Sequence, residues 1–98
     1  MSDFVTLREG IERKSLAVNT ELGIQADIIR IAPNFKDVPH THDGFEWAYI
    51  LKGSLTDERG THTKGDFIAN TTEGIHQPST GEDGCTLLII WTGSVTKV

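Results

Sequence analysis

Alternation dominates the hydrophobic pattern of this chain. Cys85, Leu87, Ile89 and Trp91 share one face of a run over residues 85–92, and Ile29 and Ile31 share a face of residues 23–31. A period of two is that of a strand, not of a helix. Residues 45–51 are apolar on both faces and predict a central strand, with Glu46, Ala48 and Ile50 on one side and Phe45, Trp47, Tyr49 and Leu51 on the other. Shorter strands are predicted at 15–19, 55–57, 66–70 and 75–78, each bounded by Gly, Pro, Asn or Asp. The pair 55–57 and 66–70 reads as a hairpin around Glu58-Arg59-Gly60, with Gly65 at a second turn. Loops are expected at 71–74 and 81–84. Phe4, Leu7 and Ile11 sit at helical spacings, but Gly10 interrupts them, so residues 1–14 read as a terminal arm or edge strand.

Composition supports this pattern. Val, Ile and Thr supply 27 of the 98 residues, and stiff β-branched side chains fit a pleated sheet better than a helix. The expectation is one all-β domain over residues 1–98, with its core at about 15–93. A chain of this length buries roughly 60–65% of its unfolded surface, enough for one modest core.

Charge and cysteine usage exclude several classes. A net charge of −5 argues against nucleic-acid partners and acidic membrane surfaces, which need a basic face. The longest apolar run, Leu87-Leu88-Ile89-Ile90-Trp91, is far shorter than a membrane span. No basic and apolar leader opens the chain, and the single Cys85 excludes an intramolecular disulfide. The expectation is a cytoplasmic protein with no membrane partner.

Four side chains carry the candidate chemistry. His40 and His42 lie two apart, so on a strand they face the same way, about 6.6 Å apart along the backbone. Two imidazoles at that offset can converge on one ion with bonds of about 2.1 Å. A straight strand would carry Glu46 about 13 Å from His42, so sharing the ion requires a bend, and Asp43-Gly44 is a strong bend signal. His76 follows 30 residues after Glu46, where the hairpin can return the chain. Solvated turn histidines and a surface glutamate are the bland alternative for any single His-x-His pair.

His40-x-His42-x3-Glu46-x6-Gly53 resembles the first motif of the cupin superfamily, and Gly65-x10-His76 resembles the frame of the second. The likeness is closer to the cupin domain of ChrR-type anti-sigma factors. It rests there on Leu51-Lys52-Gly53-Ser54-Leu55, Asp57-Glu58-Arg59-Gly60 and Gly84-Cys85-Thr86, and it covers roughly residues 20–92. The resemblance implies a cupin jelly-roll barrel (a double-stranded β-helix). It also implies one divalent metal ion held by His40, His42, Glu46 and His76. Zinc or iron would fit this donor set, as would manganese or nickel. It implies a homodimer and a small-molecule ligand or substrate. Two function classes follow: a metal-binding sensor or ligand-binding module, or a mononuclear metal-dependent dioxygenase acting on a small chelating substrate such as a β-diketone. Acetylacetone-cleaving cupins near this group use three His without a ligating Glu, so Glu46 as a ligand would count against that chemistry. No CxxC or HxxxCxxC motif is present, so the likeness does not extend to the sigma-binding zinc domain of ChrR.

The chain departs from the family pattern at three places. Asn34 stands where the first motif opens with Gly, Thr71-Thr72-Glu73-Gly74 replaces the usual Pro and Gly, and Thr80 stands where many cupins have Asn. Asn tolerates positive φ, so the first turn is expected to survive. Trp47 and Tyr49 are expected to pack under an opposite sheet or at a dimer contact, with a substrate wall as the sharper alternative. Cys85 is expected to be a small buried hydrophobe, though a redox role would suit a ChrR-like protein. His62 reads as an exposed polar residue without a partner, and Arg30 as an outward charge.

Overall fold

The structure, a computed structural model, describes residues 3–70, 74–93 and 95–97. Among the described residues nine strands run in order: β1 (Val5–Arg8), β2 (Ile11–Asn19), β3 (Ile24–Ile31), β4 (His40–His42), β5 (Glu46–Asp57), β6 (Gly60–Thr63), β7 (Phe67–Asn70), β8 (Ser79–Thr92) and β9 (Val95–Lys97). All pairings between them are antiparallel. Seven strands form one sheet in the order β1-β2-β3-β8-β5-β6, with β7 also on β5. β4 and β9 make a small second sheet. Among the described residues there is no helix, and so none long and apolar enough to cross a membrane.

Register turns the alternation of the sequence into rows across the sheet. Asp27, Ile89, Ala48 and Ile68 lie side by side in one row, and Arg13, Ile29, Leu87 and Ile50 in the next. The core is built from these rows: Ala48, Ile50, Leu55, Ile68, Cys85 and Leu87 are buried, with Ile29, Ile31 and Ile89 packed against them. The opposite face of β5 and β7 stays open, with Trp47 46% and Phe67 59% exposed. These aromatics are therefore not packed under another sheet of the same chain.

Several strands exceed their expected length. Residues 11–14 belong to β2, because the turn at Glu9-Gly10 folds β1 back onto it, so the terminal segment is an edge hairpin. Residues 81–84 lie inside β8, not in a loop: Gly84 adopts φ +67 beside the register shift between Gly53 and Leu55. Glycines that look like turn residues here mark a bulge. Conversely, 75–78 is no strand; His76 forms an isolated bridge to His40. The expected loop residues Thr71, Thr72 and Glu73 lie outside the described residues. Asn34 has φ +53, as a glycine substitute must. Thr80 Oγ1 accepts from the Phe35 N–H (2.9 Å) and donates to the Ala32 carbonyl (2.6 Å), tying this turn to β8.

At Gly53 the backbone of β5 comes close to that of β8. Its φ is +79, and a Cβ there would lie 2.1 Å from the Gly84 carbonyl oxygen. Gly23 also has positive φ (+66) but opens onto free space. Gly23→Ala is therefore expected to cost only the left-handed backbone strain, about 1–2 kcal/mol. Gly53→Ala should add an overpacking cost of about 1–3 kcal/mol. Urea unfolding of the two variants checks the difference, and equal costs would refute the close approach.

Candidate metal centre

Local backbone pairing builds the histidine cluster. His40 N–H donates to the His76 carbonyl (2.9 Å) and His76 N–H to the His40 carbonyl (2.8 Å). Residues that exchange both bonds sit directly opposite and point to the same face. His42, two residues along β4, joins them. Ring centroids are 4.9 Å apart for His40–His42, 5.2 Å for His40–His76 and 5.5 Å for His42–His76. All three rings are buried, and one nitrogen from each falls within 4.8 Å of the others, close enough to hold a metal ion.

Hydrogen bonding decides which nitrogens face the centre. His40 Nδ1 lies 2.9 Å from the Val38 carbonyl, which only accepts, so Nδ1 carries the proton and Nε2 the lone pair. His76 Nδ1 lies 3.0 Å from Glu58 Oε1, with the same consequence. His42 Nε2 is buried with no hydrogen-bond partner. A buried orphan of this kind costs free energy unless something occupies its lone pair. Burial lowers the His42 pKa below its ordinary value; Glu46 opposes the drop, while His40 and His76 reinforce it. His42 is thereby held neutral, the form that binds a metal.

Glu46 stands at the side of this cluster. The bend at Asp43-Gly44 brings its Oε2 to 3.6 Å from His42 Nδ1. The backbones close in here, since a Cβ on Gly44 would meet the Thr92 carbonyl at 2.3 Å. Glu46 Oε1 accepts from Asn70 Nδ2 at 3.1 Å. Glu46 is not in the group whose ligand atoms lie within 4.8 Å of one another; that group is His40, His42 and His76.

The hairpin β5–β6 supplies residues that the sequence alone did not single out. Glu58 reaches His76, and with Asp57 these form a second donor group within 4.8 Å. Burial would raise the Glu58 pKa, but the hydrogen bond to His76, a backbone hydrogen bond and the charge of His76 together lower it. The fully covered side chain of Asp57 accepts from the Arg59 backbone N–H (2.9 Å) and sits 3.0 Å from His62 Nε2. His62 is thus a partnered, half-buried residue, not a free surface one. Arg59 donates to the Ala69 carbonyl (3.0 Å) and to Asn70 Oδ1, so one polar chain runs from Asp57 through Arg59 and Asn70 to Glu46. The acidic tip Asp57-Glu58 was the only sequence signal for this arrangement.

A cavity of about 490 Å³ opens inside the sheet, walled by His40, Glu46 and His76 on one side and by Ile29, Leu87 and Trp91 among others. Its size is that of a small-ligand site. Asp27, also in the wall, accepts from Gln25 Nε2 (2.9 Å) and Trp91 Nε1 (2.7 Å). Cys85 is buried, and burial pushes its thiol up to about 11, so it packs as a small hydrophobe and is not a thiolate at neutral pH. Arg30 faces outward, paired to Glu12 at 3.0 Å and stacked 3.5 Å over the Phe4 ring.

The model of a family described as the ChrR cupin-like domain matches residues 1–95. Comparison with curated proteins finds no match. Among solved structures, an RmlC-like cupin protein from Ralstonia eutropha superposes with a TM-score of 0.88 at 13% identity, covering 99% of this chain and 67% of that one. An acetylacetone dioxygenase from Acinetobacter johnsonii gives 0.84 at 15% identity, with 97% and 71% covered. The anti-sigma protein ChrR, in complex with SigE from Rhodobacter sphaeroides, gives 0.80 at 23% identity, with 93% and 49% covered. At these identities the likeness shows the cupin fold.

The Asp57 cluster makes a pH prediction. Burial alone would raise the Asp57 pKa, but the Arg59 N–H, the His62 ring and the Arg59 guanidinium together lower it below 3.8. A carboxyl depressed in the folded state contributes stability that is full above the unfolded value and lost as pH falls through the folded one. Asp57→Asn should therefore flatten the fall of stability below about pH 4. Urea midpoints measured across that range check this, and parallel curves for the two proteins would refute it.

Proposed function

The chain belongs to the ChrR cupin-like domain family, and on that footing we propose that it is a metal-binding cupin module. His40, His42 and His76 hold one divalent ion, with Glu46 as the fourth ligand. The observation that carries this reading is the buried, partnerless Nε2 of His42, set beside two imidazoles whose Nδ1 atoms are already engaged. Three imidazoles and a carboxylate suit zinc or iron, and also accept manganese or nickel. A bound ion supplies Lewis-acid chemistry, polarising an oxygen of a chelating small molecule. The protein's own part is to orient and to enclose. The Val38 carbonyl and Glu58 fix the rings of His40 and His76, Asn70 holds Glu46, and the cavity receives the small molecule. Its location is the cytoplasm, in keeping with the lone, buried Cys85.

The position of Glu46 favours a second reading. It lies outside the three-histidine group and is engaged by Asn70. A three-histidine site would suit a dioxygenase acting on a β-diketone, the class to which the Acinetobacter relative's name points. Oxygen uptake by iron-loaded protein with acetylacetone separates this reading from the binding module.

His76→Ala should abolish metal retention in protein purified without chelators, read by elemental analysis. Glu58→Gln, which leaves the ligands in place, should weaken metal affinity about 10- to 100-fold in a competition titration. Unchanged metal content in His76→Ala would overturn the site.

The protein is also proposed to be a homodimer closed over the exposed Trp47, Tyr49 and Phe67 face of β5 and β7. Light scattering should give twice the 10.8 kDa chain mass, and Trp47→Glu should return the monomer. A monomeric wild type would refute the dimer.

A further inference from the structure

One cation in the cavity wall has no partner. Arg13 alternates with Ile11 on the inward face of β2, lies in register with Ile29, and lines the same cavity as His40, Glu46 and His76. Its Nε is buried without a hydrogen bond. The arginine ion pairs formed among the described residues are Arg8–Asp37, Arg30–Glu12 and Arg59–Asp57, and none includes it. Asp27, one row away, is not paired with it; its two oxygens accept from Gln25 and Trp91. Arg13 is only half-buried, but burying its Nε–H without an acceptor is costly.

We propose that Arg13 anchors the carboxylate of a small organic acid in this cavity. The guanidinium presents a planar fork of donors that matches a carboxylate. Arg8, also in the wall, is paired to Asp37, so Arg13 is the cation left over beside Asp27 and Glu46, which suits a monoanion better than a phosphate dianion. Ile29, Leu87 and Ile89 surround it with apolar surface for an aliphatic body. The far end of that body lies toward the histidine cluster. In that respect the inference rests on the metal-centre reading, while the anchor itself needs no ion.

Calorimetric titration with hexanoate and its neutral counterpart hexanamide tests the anchor, on metal-loaded protein and after metal removal with EDTA. Wild type should bind hexanoate at least about tenfold more tightly than hexanamide in both states. Arg13→Gln should lose this preference while retaining its metal content. Arg13→Lys keeps the charge and should retain part of the preference, which covers a Gln variant that fails to fold. No preference in wild type, or an undiminished preference in Arg13→Gln, would overturn the proposal. A preference that vanishes with the metal and ignores Arg13 would also overturn it, placing the carboxylate on the ion and leaving the metal reading intact. A preference that depends on Arg13 in protein that takes up no metal would uphold the anchor and fail the metal reading.

Discussion

The reciprocal backbone hydrogen bonds between His40 and His76 are the constraint on which the site depends. They join the three-residue strand β4 to His76 through an isolated bridge, and they fix both imidazoles on one face. Once that pair is set, His42 must point the same way, because alternate residues of a strand share a face. The cluster needs no further specification of backbone. It does need the chain to approach this place twice from far apart in sequence, which the long strands β5 and β8 make possible.

Side-chain hydrogen bonds then turn a cluster of rings into a directed site. A buried imidazole offers two nitrogens, and an unconstrained ring can present either. Val38 and Glu58 remove that freedom for His40 and His76 by occupying Nδ1. For His42 the nearby acid is Glu46, 3.6 Å from Nδ1, and it is the other nitrogen that is left bare. The Nδ1 of each ring is thus engaged by a carbonyl or lies beside an acid, and the buried orphan among the three rings is Nε2 of His42.

The all-β architecture and the shared face of His40 and His42 were legible in the sequence, because both rest on local periodicity; His76 was legible through the resemblance to the second cupin motif. Alternation fixes which face a residue takes, and the His-x-His pair uses the same rule. What was not legible depended on distant pairing. Residues 81–84 read as a loop because Gly81 and Gly84 are turn formers in isolation, yet β5 pairs across them and turns Gly84 into a bulge. His62 read as solitary because Asp57, its partner, lies on the neighbouring strand five residues back. Glu58 had no signal beyond an acidic hairpin tip, and Arg13 lay within residues 1–14, read as a terminal arm or edge strand, whereas β2 begins at Ile11.

The hairpin β5–β6 couples the two sides of the histidine cluster. Its tip sends Glu58 to His76 directly, and sends Arg59 through Asn70 to Glu46. Asp57 holds the tip in shape by gathering the Arg59 N–H and the His62 ring around one covered carboxylate. A carboxylate held by several donors is stiff, since moving it exposes all of them at once. Glu46 therefore inherits the rigidity of a turn that it never touches. Its position relative to the three rings is set by the hairpin's geometry as much as by its own rotamer. Whether it completes a four-ligand set or stands beside a three-histidine one is decided by whether the Asn70 bond can be kept while its other oxygen turns inward.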